Sequence, residues 1–175
     1  SNAPISIFNH PPRLLSLCNA VLRTQYSDPA DVQINTLEGA FFSNIKNDIS
    51  CLFHGRSMVL IGHQHTRNEN LPLRFLLYVA ELFSRHIAPF RKKLYQPALL
   101  PMPRPEFVAF YDGNAPEEEQ RVLRLSDAFG GDGHSLELQV RLYNINGDRN
   151  RELKERCPFL GDYSRFSDRL KENRR

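Results

Sequence analysis

At 175 residues, with 41% hydrophobic and 25% charged side chains, the chain has the composition of one soluble globular domain with a single core. No apolar run approaches the ~20 residues needed to span a bilayer, and no charged region followed by an apolar stretch marks a secretory signal, so a cytoplasmic protein without a membrane partner is expected. The net charge of +3 is too mild to identify a nucleic-acid binder by itself, since the basic runs Arg91-Lys92-Lys93 and Arg174-Arg175 are offset by Glu117-Glu118-Glu119. Ser1-Asn2-Ala3 reads as the remnant of a cleaved purification tag, which leaves one expected domain over 4–175. Cys18, Cys51 and Cys157 are odd in number and widely spaced, a pattern of reduced core thiols rather than a disulfide framework or a zinc ribbon.

Pro11-Pro12 precedes Leu14, Leu17, Cys18, Val21 and Leu22, whose spacing predicts a helix running to about Gln25 with one apolar stripe. After the turn signal Ser27-Asp28-Pro29, the alternation of Val32 and Ile34 predicts a short strand within 31–37. Ile45, Ile49, Cys51 and Phe53 predict a second strand, which His54-Gly55-Arg56 turns into a third over 58–64. The third is apolar on both faces, as strands in a covered sheet are. Asn70 is a candidate cap for a long helix with Pro72 in its first turn. Leu76, Val79, Ala80, Phe83 and Ile87 follow helical spacing until Pro89 ends or kinks it.

Pro103 and Pro105 introduce a strand over 107–111 closed by Asp112-Gly113. The polar, glycine-bearing segment 114–135 reads largely as a surface excursion. Leu136, Leu138, Val140 and Leu142 alternate with polar residues, predicting a strand with one wet face, and two helical patches follow around 151–156 and 163–172. The predicted order is helix, three strands, long helix, then further strands.

Three short blocks occur in sequence: Asn47-Asp48-Ile49-Ser50, Leu60-Ile61-Gly62-His63-Gln64-His65-Thr66 and Asn70-Leu71-Pro72-Leu73-Arg74. In that order they resemble the recombination-promoting nuclease/putative transposase family of the PD-(D/E)XK superfamily. Leu125-Ser126-Asp127-Ala128-Phe129 is a second similar block. The resemblance runs from about Leu14 through Tyr163 and is strongest over 35–78. It implies an α/β fold with a restriction-endonuclease-like αβββαβ core, that is, a mixed central sheet flanked by helices. It also implies Mg²⁺-dependent hydrolysis of DNA phosphodiesters, in which an aspartate on one strand and a Glu-x-Gln on the next hold the ion.

Asp48 matches the aspartate and Gln64 the glutamine, whereas Gly62 stands at the acidic position. With only Asp48 and the backbone carbonyl of His63 as metal ligands, Mg²⁺ would be bound weakly, because this ion wants carboxylate oxygens in octahedral geometry. Asp48 can equally be a carboxylate satisfied by a nearby arginine. Gln64 can position water or phosphate, or simply bond the backbone. Glu38, Glu69 and Glu81 are candidates for a substitute carboxylate, although Glu81 also suits an i,i+4 partnership with Arg85. Arg74, Arg85 and Lys92 are candidate DNA contacts, and equally residues of a solvated helix surface.

His63 and His65 share a strand face, where an imidazole pair could bind a transition metal, but no third ligand is identifiable in the sequence, and the preferred reading is His63 packed against a helix with His65 near solvent at the strand end. The expectation is a transposase-related DNA endonuclease of this type, impaired at Gly62. The alternative is an inert nuclease-fold module that binds nucleic acid or protein.

Overall fold

The computed structural model describes residues 7–37 and 48–174, and among these the chain forms one mixed sheet with helices on both faces. The first helix, α1 (Pro11–Leu22), starts with prolines in its first turn, where a missing amide donor costs nothing. It stops at Arg23, whose left-handed φ of 55° closes the last turn. Three strands follow: β1 (Val32–Ile34), β2 (Asp48–Phe53) and β3 (Ser57–Gln64). The part of the expected second strand around Ile45 lies outside the described residues, as does Glu38. The β2–β3 turn places both His54 and Gly55 at positive φ.

The long helix α2 (Leu71–Ile87) has Pro72 in its first turn, but the side chain of Asn70 makes no cap. Asn68 Oδ1 instead accepts from the Asn70 backbone amide at 2.9 Å, which fixes the turn that leads into the helix. Pro89 ends α2, and a 3-10 segment, Ala88–Tyr95, carries the chain on through a non-helical Phe90.

Strand β4 (Arg104–Tyr111) begins three residues before the expected start. Its proline, Pro105, is tolerated because β6 pairs with β4 only from Val108 onward, so this end of the strand has one neighbour. The expected excursion over 114–135 contains a strand, β5 (Gln120–Arg124), which pairs antiparallel with β6 (Gln139–Asn144) at the sheet edge. It escapes pattern reading because only Leu123 is buried and the flanking Arg121 and Arg124 are what an edge strand carries against aggregation. β6 starts at Gln139 rather than Leu136 because the Glu137 carboxylate accepts from the Leu138 amide and from Ser126, which holds 136–138 to the neighbouring 3-10 turn. Two helices, α3 (Arg151–Arg156) and α4 (Pro158–Glu172), complete the described chain, the second starting five residues before the expected patch.

The sheet order is β1-β2-β3-β4-β6-β5, with β3, β4 and β6 parallel and the rest antiparallel. Val59, Ile61, Val108 and Phe110 face α1, α3 and α4, in a core with Leu14, Leu17 and Leu160. Met58, Leu60, Ala109 and Tyr111 face α2, in a core with Leu71, Phe75 and Tyr78. The apolar reading of β3 on both faces follows from this: all its residues are buried. The three cysteines are buried and free, with Cys18 Sγ 3.7 Å from Cys51 Sγ. No described helix is long and apolar enough to cross a membrane.

Candidate functional site

Strand alternation decides which face of β3 each residue serves. Met58 and Leu60 face α2, so Gly62 and Gln64 do as well, while His63 faces α4 with Val59 and Ile61. The antiparallel register sets Asp48 opposite Gly62, which brings the Asp48 carboxylate to the α2 side close to Gly62. Gln64 is buried on the same side, two residues beyond.

Arg74, in the first turns of α2, donates from Nη2 to Asp48 Oδ1 at 2.9 Å. Asp48 is 4% exposed, and its Oδ2 has no hydrogen-bond partner among the described residues. Burial pushes its carboxyl up from 3.8 to about 6, against the opposing charge and hydrogen bond of Arg74 and the weaker influence of His63. The space beside Gly62 is filled: a Cβ placed there would lie 2.9 Å from Phe75 Cζ and 3.0 Å from Asp48 Oδ1. Phe75 is itself stacked on Phe107 with ring centroids 5.9 Å apart. Glycine at 62 is therefore what lets the aromatic ring seat against the strand, which accounts for a residue that strand propensity disfavours.

The remaining candidates lie elsewhere. Glu69 accepts a two-pronged bond from Arg121, at 3.0 Å to each oxygen, and Glu81 accepts from Arg85 at 2.9 Å. Neither contributes to the environment of Asp48, which is set by burial, Arg74 and His63. Arg85 lies on exposed α2 surface and Lys92 on the exposed 3-10 segment. Arg74 is committed to Asp48. His63 sits within the parallel β3–β4 pair, opposite Phe110.

On the other face, the ends of β3 and β4 meet α4. Their register pairs Gln64 with Tyr111, so His65 and Asp112 leave the sheet side by side, and the Asp112 amide donates to Gln64 O at 3.1 Å. Gly113 completes the approach, since any Cβ there would overlap the His65 carbonyl oxygen. Asp112 Oδ2 accepts from Tyr163 Oη at 2.9 Å and from Ser167 Oγ at 2.8 Å, and lies 3.1 Å from His63 Nε2. Lys171 Nζ donates to the Asp112 backbone carbonyl at 2.9 Å.

Although burial opposes ionisation, His63, Ser167 and His65 together hold the Asp112 carboxyl down at about 2, so it is an anion. Burial and that anion push the Tyr163 hydroxyl far upward, keeping it a donor. His65 Nδ1 approaches Asp112 Oδ1 to 2.6 Å, yet Oδ1 accepts no well-aligned hydrogen bond, and the buried His63 Nδ1 has no partner among the described residues. His63, His65 and Asp112 offer ligand atoms all within 4.8 Å of one another, a group that could hold a metal ion.

No family model, curated protein or solved structure matches the chain.

The sequence shows the histidine pair but not its carboxylate, because Asp112 is 47 positions from His65 and its turn signal masks it. Strand register supplies the link: an aspartate just past one strand meets a His-x-His ending the parallel neighbour. Tyr163, Ser167 and Lys171 carry no motif and are found only by the packing of α4.

A second feature lies at the opposite end of β3. Arg23, Arg56, Arg104, Arg141, Arg151 and Arg156 line a groove of about 770 Å³ between α1, α3 and the sheet. Glu152 bridges Arg23 and Arg156, and Glu106 bridges Arg104 and Arg141, at 3.4 to 3.6 Å. The groove keeps excess positive charge, and Tyr26 stacks on His54 at its wall, ring centroids 4.0 Å apart.

Proposed function

We propose that the protein is a nuclease-fold descendant of the PD-(D/E)XK type that binds nucleic acid while its cleavage chemistry is disabled. The observation that carries this reading is the closure of the Asp48 recess: Arg74 sits on the carboxylate and the Phe75 ring fills the position beside Gly62. Among the described residues a magnesium ion there would have one carboxylate, already neutralised, and would compete with a guanidinium for it. The donor set therefore does not fit the ion, and no catalytic step is assigned to it. Gln64 remains as a neutral, buried amide that can orient but cannot compensate charge.

The binding half of the proposal rests on the arginine groove. Guanidinium groups pair with phosphate oxygens in fork geometry, and an aromatic wall can stack bases. From Ser57 at this end to Gly62 the strand rises about 17 Å, and the two features open on opposite faces. A nucleic acid held in the groove would thus be kept away from Asp48.

The test has two arms. DNA is incubated with Mg²⁺ or Mn²⁺ and the parent, Asp48→Ala and the Gly62→Glu/Phe75→Leu double variant, which restores an acid and the room for it. The expected result is an inert parent, and parental cleavage that Asp48→Ala abolishes would refute the disabled centre. In binding titrations, Arg56→Ala and Arg151→Ala should weaken DNA uniformly across sequences and lower the salt slope by about 0.9 for each phosphate that is no longer neutralised. Unchanged affinity in both variants would refute the groove.

A further inference from the structure

We infer that His63, His65 and Asp112 form a binding site for a Zn²⁺-class transition metal. It lies on the opposite face of the sheet from Asp48 and does not depend on the nuclease-fold reading. Three observations support it together. The ligand types are two imidazoles and one carboxylate, a borderline-soft nitrogen and oxygen set that suits zinc and its neighbours and not magnesium or calcium. The atoms are already gathered: His63 Nε2 is 3.1 Å from Asp112 Oδ2, and His65 Nδ1 is 2.6 Å from Oδ1. The polar atoms there are incompletely satisfied, since buried Asp112 Oδ1 accepts no aligned hydrogen bond in spite of that short contact.

A tetrahedral zinc site with bonds near 2.0–2.1 Å separates its ligand atoms by about 3.3 Å. The His63 Nε2 to Asp112 Oδ2 spacing, 3.1 Å, is close to this, while His65 stands nearest the other oxygen, Oδ1, so the ion would be held through both carboxylate oxygens. The His65 contact must open by less than an ångström, which its ring can do because it is 53% exposed. A cation between these atoms turns the crowded nitrogen–oxygen contact into shared coordination.

The surroundings have the form of an outer shell. Tyr163 and Ser167 both donate to Asp112 Oδ2, and Lys171 fixes the backbone of Asp112 through its carbonyl. Three protein ligands would leave a zinc ion a fourth position for water, and His65 is the ligand of the three that reaches solvent.

The test uses the full chain freed of metal with a chelator. Co²⁺ is titrated in and the visible absorption of a nitrogen- and oxygen-ligated ion followed, then displaced with Zn²⁺, alongside thermal melts with and without Zn²⁺. The expected result is one equivalent bound and a Zn²⁺-dependent rise in Tm. His65→Ala, at an exposed position that leaves the metal-free fold intact, should weaken binding about tenfold or more and remove the Tm rise. Asp112→Asn should do the same where it folds, and His86→Ala, on α2, should leave binding unchanged. Absence of stoichiometric binding in the parent, or a smaller loss in His65→Ala, would overturn the assignment.

Discussion

Replacing Asp48 with asparagine should make the protein's stability rise relative to the parent as pH increases. Burial raises the carboxyl from 3.8 to about 6 in the folded chain. Between those values the native state holds a proton that the unfolded chain has released. Stability is therefore greatest below about pH 4 and falls as pH rises toward 6, after which it levels off. The full difference corresponds to about 3 kcal/mol, of which about 2 kcal/mol falls between about pH 4.5 and about pH 7.5. Asparagine has nearly the same shape and still accepts from Arg74 but does not titrate, so its advantage over the parent should grow by that amount across the interval. Urea unfolding of both proteins at the two pH values measures it. Parallel curves, with the same difference at both, would refute the account of Asp48 as a desolvated carboxylate only partly compensated by one guanidinium.

Three other substitutions probe the packing at the two sites. Gly62→Ala should destabilise by about 1–3 kcal/mol through overpacking against Phe75, and by clearly less in a Phe75→Leu background; additivity in a denaturation double-mutant cycle would show that the ring is not the obstacle. Arg74→Ala should cost about 2 kcal/mol near neutral pH, toward the low side for a broken buried pair because water reaches the guanidinium. That loss should shrink as pH falls and Asp48 takes up a proton, and a pH-independent loss would contradict the pairing. Gly113→Ala should lower stability by about 3 kcal/mol, since the new methyl must displace the His65 carbonyl; an unchanged melting temperature would mean that the β4 turn is not held against β3.

The parts legible in the sequence are those fixed by periodicity. The α1 stripe, the β2–β3 hairpin, the buried β3 and the long α2 all follow from apolar spacing and turn residues, because burial of one face selects them whatever the rest of the chain does. β5 is hidden for the opposite reason, since an edge strand with one buried side chain leaves almost no pattern. At the candidate site, Gly62 is visible as a glycine inside an apolar strand, but its cause, a ring from a helix thirteen residues on, is a packing fact with no local signature. Asp112 is similar, in that nothing between His65 and Asp112 announces that two parallel strands will end together.

Both sites nevertheless depend on one strand. In β3 and the residue after it, Gly62 and Gln64 look toward α2, and His63 and His65 toward Asp112 and α4. A one-residue slip of register would exchange them, setting imidazoles against Phe75 and a glycine against Asp112, so the heavily buried flanks of β3 are what keep the two chemistries apart. Glycine at 62 bears only on the α2 side, where Phe75 takes up the space, and the ligand group of the opposite side does not touch it. The closed packing around Asp48 on one face and the gathered group of His63, His65 and Asp112 on the other therefore rest on separate contacts, the first on Arg74 and Phe75 and the second on the strand ends and α4.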